Sequence, residues 1–479
     1  MNRTVVIAGA GPVGLMLAGE LRLAGVPVVV LERLIERVGW ARSLFVQNRS
    51  VEVLRQRGLD WFGDSPRWVN YNFGFLNLRR LKNDRDFVPF YAPQHKFEEL
   101  LEERAVKLGT DLRRGHEVVA LEQDDSGVRV QVRTAEETYE LQAAYLVGCD
   151  GGRSAVRKLA GIDFPGTDST VSGITAWVTL TEEQFPKGVF ADIYPTGIVS
   201  IAQLEPGMYR ATSIDFETPL PPRDVPVTVE EFKERIHAIS GIDMKIDQVP
   251  WISRFGNATR LAAQYRQGGV LLAGDAAHIH FASAAQGLNT GIQDAVNLGW
   301  KLAAEINGWA PPGLLDSYHT ERHPVGRRVC MFSQAQVALY HPLDRVGPLR
   351  ELLGGLLQLE DVSRQMLGLA TGVDIHYEMP SAANHPLVGR RIPDADLTGG
   401  TTVFSTLREG RGVLLDFTGD RGLPAAWSDR VETVHAEPVP DYAAARLLVR
   451  PDGYVAFADP DGTDDEGLRA ALTTWFGTQ

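Results

Sequence analysis

Apolar and polar positions follow two different periods along this chain. Val5 to Ala8 is a short continuous apolar run, and the apolar positions after it recur at helical spacing through Leu21. Val28-Val29-Val30-Leu31 is a second continuous run and ends in Glu32. Short apolar runs bounded by glycine predict buried strands, and the 3.6-residue recurrence between them predicts a helix. The opening is therefore a strand–helix–strand unit with parallel strands. Two later runs have the same character: Leu146-Val-Gly before Cys149-Asp150, and Val270-Leu-Leu-Ala before Gly274-Asp275. Between them the period changes to two. His116–Leu121 and Val128–Arg133 predict a meander, and Gly173–Leu180, Val189–Tyr194, Gly197–Ala202 and Met208–Ser213 predict a sheet. Residues 67–91 alternate aromatic and polar positions and predict antiparallel strands with one buried face. Helical spacing returns after Pro93, around Phe232, Ile236 and Ile239, from about Gly287 to Ile306, and from Ser317 to about Leu369. From His385 onward, strands and one final helix form a compact α/β unit.

The first turn carries chemistry. Gly9-x-Gly11-x-x-Gly14 follows a strand and opens a helix, and the acid Glu32 lies about twenty residues on. This is the dinucleotide fingerprint. Gly9 permits the tight turn, Gly11 lets backbone approach a pyrophosphate, and Gly14 lets helix and strand pack closely. Pro12 and Val13 lie within the turn, and the helix N-terminus favours an anion. Glu32 is placed to accept hydrogen bonds from a ribose. The fingerprint alone leaves the choice between a nicotinamide and a flavin dinucleotide open.

Composition narrows the classes. At 479 residues two or three domains are expected, and the 44% apolar content suffices for a large core. The net charge of −13, without a long basic run, argues against nucleic acid and anionic membranes as partners. Cys149 and Cys330 are the two cysteines, so neither a disulfide framework nor a metal cluster is expected. Val5–Leu21 reads as a strand and helix rather than a signal peptide, and no stretch reaches transmembrane length. A soluble, cytoplasmic protein is expected, as a monomer or homodimer.

Three stretches in this order resemble the single-component FAD-dependent aromatic hydroxylases: the fingerprint, Asp150-Gly-Gly-Arg-Ser154 and Gly274-Asp275-Ala-Ala-His278. The family's type members include para-hydroxybenzoate and phenol hydroxylases, and the likeness is strongest to aromatic polyketide hydroxylases and rifampicin monooxygenase-like enzymes. The resemblance implies a Rossmann-like FAD-binding domain (1–66, 92–165 and 266–380). It also implies a sheet-plus-helix substrate domain (67–91 and 166–265) and a thioredoxin-like C-terminal domain (385–479) without C-x-x-C. That last domain is expected to serve structure or an interface. The implied reaction uses FAD, NADPH or NADH as a transient reductant, molecular oxygen, and a flavin C4a-hydroperoxide that oxygenates an aromatic small molecule.

By the same resemblance, Gly9, Gly11, Pro12, Val13, Gly14, Glu32, Arg33, Arg42, Gln94, Val118, Asp150, Asp275, Gly287, Leu288 and Asn289 would contact the cofactor. Phe73, Phe75, Tyr91, Tyr194 and Phe281 would line the substrate site. The chemistry is flavin-centred, so no acid or base is assigned; the loop Phe281-Ala282-Ser283 would lie beside the flavin. His278 and His280 are expected to be packed or hydrogen-bonded rather than catalytic.

One departure stands out. The family usually has proline where Phe281 and Ala282 stand, and a pair of glycines where Ala284 and Ala285 stand. Proline fixes φ, and glycine admits positive φ and close backbone approach. The loop is expected to take a different path or to crowd the flavin with methyl groups. Altered oxygen chemistry (Baeyer–Villiger insertion, epoxidation, dehydrogenation or redox-neutral rearrangement) and a non-catalytic FAD-binding protein are the alternatives to hydroxylation.

Overall fold

The computed structural model describes residues 3–37, 39–40, 43–61, 71–81, 87, 89–180, 189–222, 225–282, 285–379, 385–419 and 425–478. Its central sheet runs, by residue range, 266–267, 270–272, 145–148, 5–8, 28–32 and 111–114. The last five strands are mutually parallel, and only Arg266–Gln267 is antiparallel. Val5, Val6 and Ile7 have no solvent exposure. Strands buried on both faces must be apolar at every position, which is why these read as continuous runs. The helix Pro12–Leu23 covers one face and packs on the long helix Gln286–Asn307. The three-stranded meander is Glu117–Asp124, Gly127–Arg133 and Thr138–Ala143.

A five-stranded antiparallel sheet stands apart from this unit, in the order 189–194, 197–205, 208–215, 172–180, 246–255. One of its faces packs Ile174, Ala176, Val178, Val199 and Ile201 on the helix Val229–Ser240. Of segment 67–91, residues 67–70, 82–86 and 88 lie outside the described residues, and none of the described ones joins this sheet. Asn72–Phe73 and Leu76–Asn77 form a small hairpin, and Phe90–Tyr91 pairs with Phe45–Val46. The Phe73 ring lies 5.0 Å from Phe332 on the helix Ser317–Val337, so the buried face of this hairpin packs on a helix.

The C-terminal unit has a mixed four-stranded sheet, ordered 431–435, 412–416, 446–449, 455–459, and a closing helix Asp465–Phe476. It is not a loosely attached appendage. Trp300 of the long helix belongs to the same apolar cluster as Leu414, Trp427, Trp475 and Phe476. Beside that cluster, Arg450 donates to both carboxylate oxygens of Glu321, at 2.7 and 2.8 Å, and Lys301 donates to Glu321 at 2.9 Å. Asn297 bridges Glu321 and Asp452, while Arg49 donates to the Asp452 carbonyl at 2.7 Å. Arg49, Lys301 and Arg450 are at most 1% exposed.

Burial alone would raise the pKa of Glu321, but Arg450 and then Lys301 outweigh it and hold the carboxyl well below the usual range. Burial lowers Lys301 to about 8. A carboxylate with a depressed folded pKa binds fewer protons than its unfolded counterpart, so the stability it contributes is present above the ordinary pKa of 4.5 and lost as pH falls. Glu321→Gln keeps the shape but leaves Lys301 buried without its counter-charge and Arg450 with Asp452 alone. It should cost about 3–5 kcal/mol of stability, read as a lower midpoint in chemical denaturation at neutral pH. An unchanged midpoint would show that the network does not hold the two units together.

Candidate active site

Adjacent parallel strands bring the three sequence motifs together. The register pairs Ala8 with both Leu31 and Gly148, and Gly148 with Leu272. The strands therefore end side by side, and the hydrogen bonds continue past them. Gly9 N–H donates to Leu31 at 2.7 Å, Cys149 N–H to Ala8 at 2.8 Å, and Ala273 N–H to Gly148 at 3.0 Å. Ligands of open α/β sheets bind at this C-terminal edge.

The three fingerprint glycines have different causes. Gly9 has φ +104°, and a β-carbon there would lie 2.5 Å from the Cys149 carbonyl oxygen. A β-carbon on Gly14 would lie 2.0 Å from the Gly9 carbonyl oxygen. Protein packing explains both. Gly11 has an ordinary φ of −79°, and a β-carbon there meets nothing within 4 Å. Its missing side chain leaves open space at the helix N-terminus, the place a pyrophosphate takes. Pro12 is the first helical residue, where its absent N–H costs nothing. Val13 fills the space left by Gly274 and Gly291; a β-carbon on either would lie 2.9 or 2.5 Å from it. Glu32 accepts from Ala10 N–H and Leu34 N–H, both at 2.9 Å, so it braces the turn it serves. Arg33 is exposed on the following bend. Arg42 and Ser283 lie outside the described residues.

Asp150 accepts from Ala155 and Val156 N–H, and burial raises its pKa. Cys149 is packed against Gly14, and burial pushes its thiol well up. Asp275 is exposed in a 3-10 turn, and one carboxylate oxygen lies 3.7 Å from the β-carbon position of Gly287. Gln94 accepts from Ser43 N–H at 3.1 Å and donates to Glu98 at 2.7 Å. Val118 is 6% exposed and packs into the main core.

The long helix begins at Gln286, one residue after Ala285, whose φ of +52° and ψ of +30° are left-handed. The chain thus keeps the conformation glycine would favour and holds it with alanine, at a cost of roughly 1–2 kcal/mol. Ala284 lies outside the described residues, and Ala282 is exposed. Gly287 and Leu288 are half-buried at the helix start, and Asn289 is buried. The Asn289 side chain accepts from Gln47 N–H at 2.7 Å and donates to the carbonyls of Ala285 and Phe45. It thereby ties the helix start to segment 45–47.

The two histidines are structural in placement. His278 lies 2.7 Å from Asp294, which also accepts from Gly274 N–H and from Arg322 at 2.7 Å. Burial pushes the Asp294 pKa up, but Arg322 and then His278 outweigh it and keep it lowered. His280 bonds the Phe281 carbonyl through Nδ1, and burial lowers its pKa. Its buried Nε2 is without a partner, 3.5 Å from the β-carbon position of Gly287. Asp294 and Arg322 carry no local sequence signature; residue 322 is brought to residue 294 only by helix packing.

Opposite the helix start stands the second face of the five-stranded sheet. Ile198 and Ile214 cluster there with Phe281, Tyr340, Phe75, Phe216 and Phe255. The Phe281 ring is 6.2 Å from Phe255 and 6.1 Å from Tyr340. Tyr91 donates to the Leu204 carbonyl at 3.5 Å. Two residues expected to line the substrate site lie in other clusters than that of Phe281. Phe73 packs between helices, and Tyr194 packs with the helix-side core because it is one residue out of phase with Ile193. Phe216, Phe255 and Tyr340 belong to the Phe281 cluster and were not singled out by the sequence pattern. Among the described residues no group of histidine, cysteine and carboxylate side chains could hold a metal.

The glycines separate folding from binding. Gly11→Ala should fold with unchanged stability yet bind FAD about tenfold or more weakly, since one steric overlap costs about 1–3 kcal/mol. Gly14→Ala should destabilise the protein itself. Thermal unfolding of apoprotein and FAD titration by fluorescence quenching distinguish them; equal FAD affinity in Gly11→Ala would contradict the assignment.

Comparison with known proteins agrees with this geometry. Residues 2–333 match the family described as FAD binding domain, and residues 385–479 match aromatic-ring hydroxylase, C-terminal. The chain is 45% identical to a 12-dehydrotetracycline 5-monooxygenase/anhydrotetracycline 6-monooxygenase of Streptomyces rimosus, covering 100% of this chain and 99% of that one. It is 42% identical to a dialkyldecalin synthase of Streptomyces rugosporus, over 100% and 99%. The solved anhydrotetracycline hydroxylase of Streptomyces rimosus superposes with a TM-score of 0.91 at 44% identity, over 100% of both chains. With the fingerprint, the Gly-Asp turn and the helix start meeting at one sheet edge, and with these matches end to end, the chain belongs to the FAD-dependent aromatic-ring hydroxylases.

Proposed function

We propose that this chain is an FAD-dependent, NAD(P)H-reduced monooxygenase that hydroxylates a polycyclic aromatic small molecule of polyketide type. The observation that carries the reading is the meeting of one open position and one helix start with one apolar face. Gly11 leaves room at the first helix N-terminus, Gly287 lies beside Asp275 at the long helix start, and the aromatic cluster around Phe281 stands opposite. The residues fit FAD. Gly9, Gly11, Pro12, Val13 and Gly14 would cradle its pyrophosphate, Glu32 and Arg33 its adenosine ribose, and Asp275 its ribityl chain. The N–H groups of Gly287, Leu288 and Asn289 would face the flavin's pyrimidine edge. Arg42, Gln94, Val118 and Asp150 complete the proposed contacts.

When bound, FAD takes electrons from a nicotinamide and activates oxygen. The protein's part is to bind, orient and exclude water. A helix N-terminus stabilises negative charge at the flavin edge without reorganising. Burial of Phe281, at 4% exposure, and of Tyr340 keeps water from the face where the ring is oxidised. Phe75, Tyr91, Phe216, Phe255, Phe281 and Tyr340 are the proposed substrate contacts. A nicotinamide-dependent reaction suits a cytoplasmic enzyme, working as a monomer or homodimer.

A redox-neutral reaction is the second reading. A relative named for decalin synthesis aligns over the whole chain, and the helix start carries alanine in a left-handed conformation. The test is oxygen accounting. FAD-loaded protein is given NADPH or NADH, ¹⁸O₂ and a tetracyclic phenol such as anhydrotetracycline. One ¹⁸O atom per product and one nicotinamide oxidised per turnover are expected. Product formed without ¹⁸O and without nicotinamide oxidation would overturn hydroxylation in favour of the second reading.

A further inference from the structure

His280 is engaged at one ring nitrogen and idle at the other. Its Nδ1 lies 2.8 Å from the Phe281 carbonyl oxygen. A carbonyl only accepts, so Nδ1 carries the proton of that bond. Burial is the largest influence on the ring and lowers its pKa below the ordinary 6.5. The Phe281 carbonyl raises it, His278 lowers it and Asp275 raises it, each by less. A neutral ring with its proton on Nδ1 presents a lone pair at Nε2. That atom is buried and has no hydrogen-bond partner among the described residues. An acceptor shut away without a donor is costly, and in a folded protein it calls for an explanation.

The explanation lies across the helix start. Gly287 is the second residue of the helix Gln286–Asn307, and its φ is not positive, so its backbone does not require glycine. A β-carbon there would make ordinary van der Waals contacts, 3.5 Å to His280 Nε2 and 3.7 Å to Asp275 Oδ1. Alanine would therefore fit the protein, and a helix favours it over glycine. The missing methyl leaves a space that Nε2 and Oδ1 both reach. Three elements converge on it: the turn Gly274–Ala276, the end of the strand His278–Ile279 and the helix start. A carboxylate and an imidazole lone pair accept and do not donate. They disfavour a phosphate and suit a group that brings its own protons. Water is one such group. The chain that joins the pyrophosphate of FAD to its flavin ring is another, since it carries neighbouring hydroxyls.

Resting on the FAD reading above, we propose that His280 is a cofactor-binding residue: its Nε2 and the Asp275 carboxylate form a paired acceptor for neighbouring hydroxyls of the ribityl chain. The pair adds to Asp275 a neutral acceptor whose tautomer is fixed by backbone. It also links the cofactor to the loop. The Phe281 carbonyl accepts from His280 and from Ser333 at 3.1 Å, and the Phe281 ring belongs to the apolar cluster opposite the helix start. One imidazole thus joins the ribityl chain to the residue that begins that cluster.

Two substitutions separate the ring's nitrogens. His280→Asn keeps an amide N–H near the place of Nδ1 and removes the acceptor. His280→Gln brings an amide oxygen to the place of Nε2 and gives up the bond to Phe281. Flavin-free full-length protein is titrated with FAD and with FAD analogues lacking the 2′-, 3′- or 4′-hydroxyl of the ribityl chain, following flavin fluorescence. Thermal unfolding of each variant is measured alongside. Wild-type protein should bind at least two of the analogues about tenfold more weakly than FAD, the scale of one buried hydrogen bond. His280→Asn should bind FAD about tenfold more weakly and no longer distinguish it from one of these analogues. His280→Gln should bind FAD more tightly than His280→Asn does. Gly287→Ala should unfold no lower than wild type, yet bind FAD about tenfold more weakly. A histidine that serves structure alone, or faces only water, gives other results: His280→Asn then treats FAD and every analogue as wild type does. That result, or wild-type protein binding all the analogues as tightly as FAD, would overturn the proposal alone. Wild-type protein that takes up no FAD would overturn the FAD reading and this inference with it.

Discussion

The structure depends on close backbone approach around one side chain. Val13 lies where Gly274 and Gly291 have no β-carbons, and so it joins the fingerprint helix, the Gly-Asp turn and the long helix. Those three elements are the ones proposed to hold opposite ends of FAD. Their spacing is set by a side chain that need not touch it. Asp294 secures the same junction from beneath, because it holds Gly274 N–H, His278 and Arg322 together in a site closed to water. A buried carboxylate with such partners is costly to disturb, since removing one partner strands the others.

A second consequence runs to the C-terminal unit. Arg49 lies on the helix Asn48–Arg55, which begins at Gln47, and Gln47 N–H is bonded to Asn289. The same helix meets Asp452 through Arg49. The turn at 450–452 therefore supports segment 45–47 and the long helix at once. A unit that lacks C-x-x-C is retained here as a wall of the flavin-binding half, sharing Trp300 with its core.

Much of this was legible in the sequence, for a physical reason. Strands buried on both faces leave unbroken apolar runs, and a tight turn facing a phosphate leaves glycines at fixed intervals. Val5–Ala8, Gly9–Gly14, Glu32 and Gly274-Asp275 are therefore local signals. The aromatic alternation of residues 67–91 was met by antiparallel pairing, Asn72–Phe73 with Leu76–Asn77, but period two does not say what covers the buried face, and Phe73 packs on the helix residue Phe332. Tyr194 misled because one residue of register decides the face. Arg450 and Glu321, 129 residues apart, meet only once the chain has folded.

The most direct test of the account is an X-ray structure of the FAD-loaded protein. The pyrophosphate is predicted to lie against Gly11, and the flavin's pyrimidine edge to face the N–H groups of Gly287 and Leu288, with the open ring face toward Phe281 and Ile214. A flavin bound elsewhere, or one whose ring turns away from the five-stranded sheet, would contradict it.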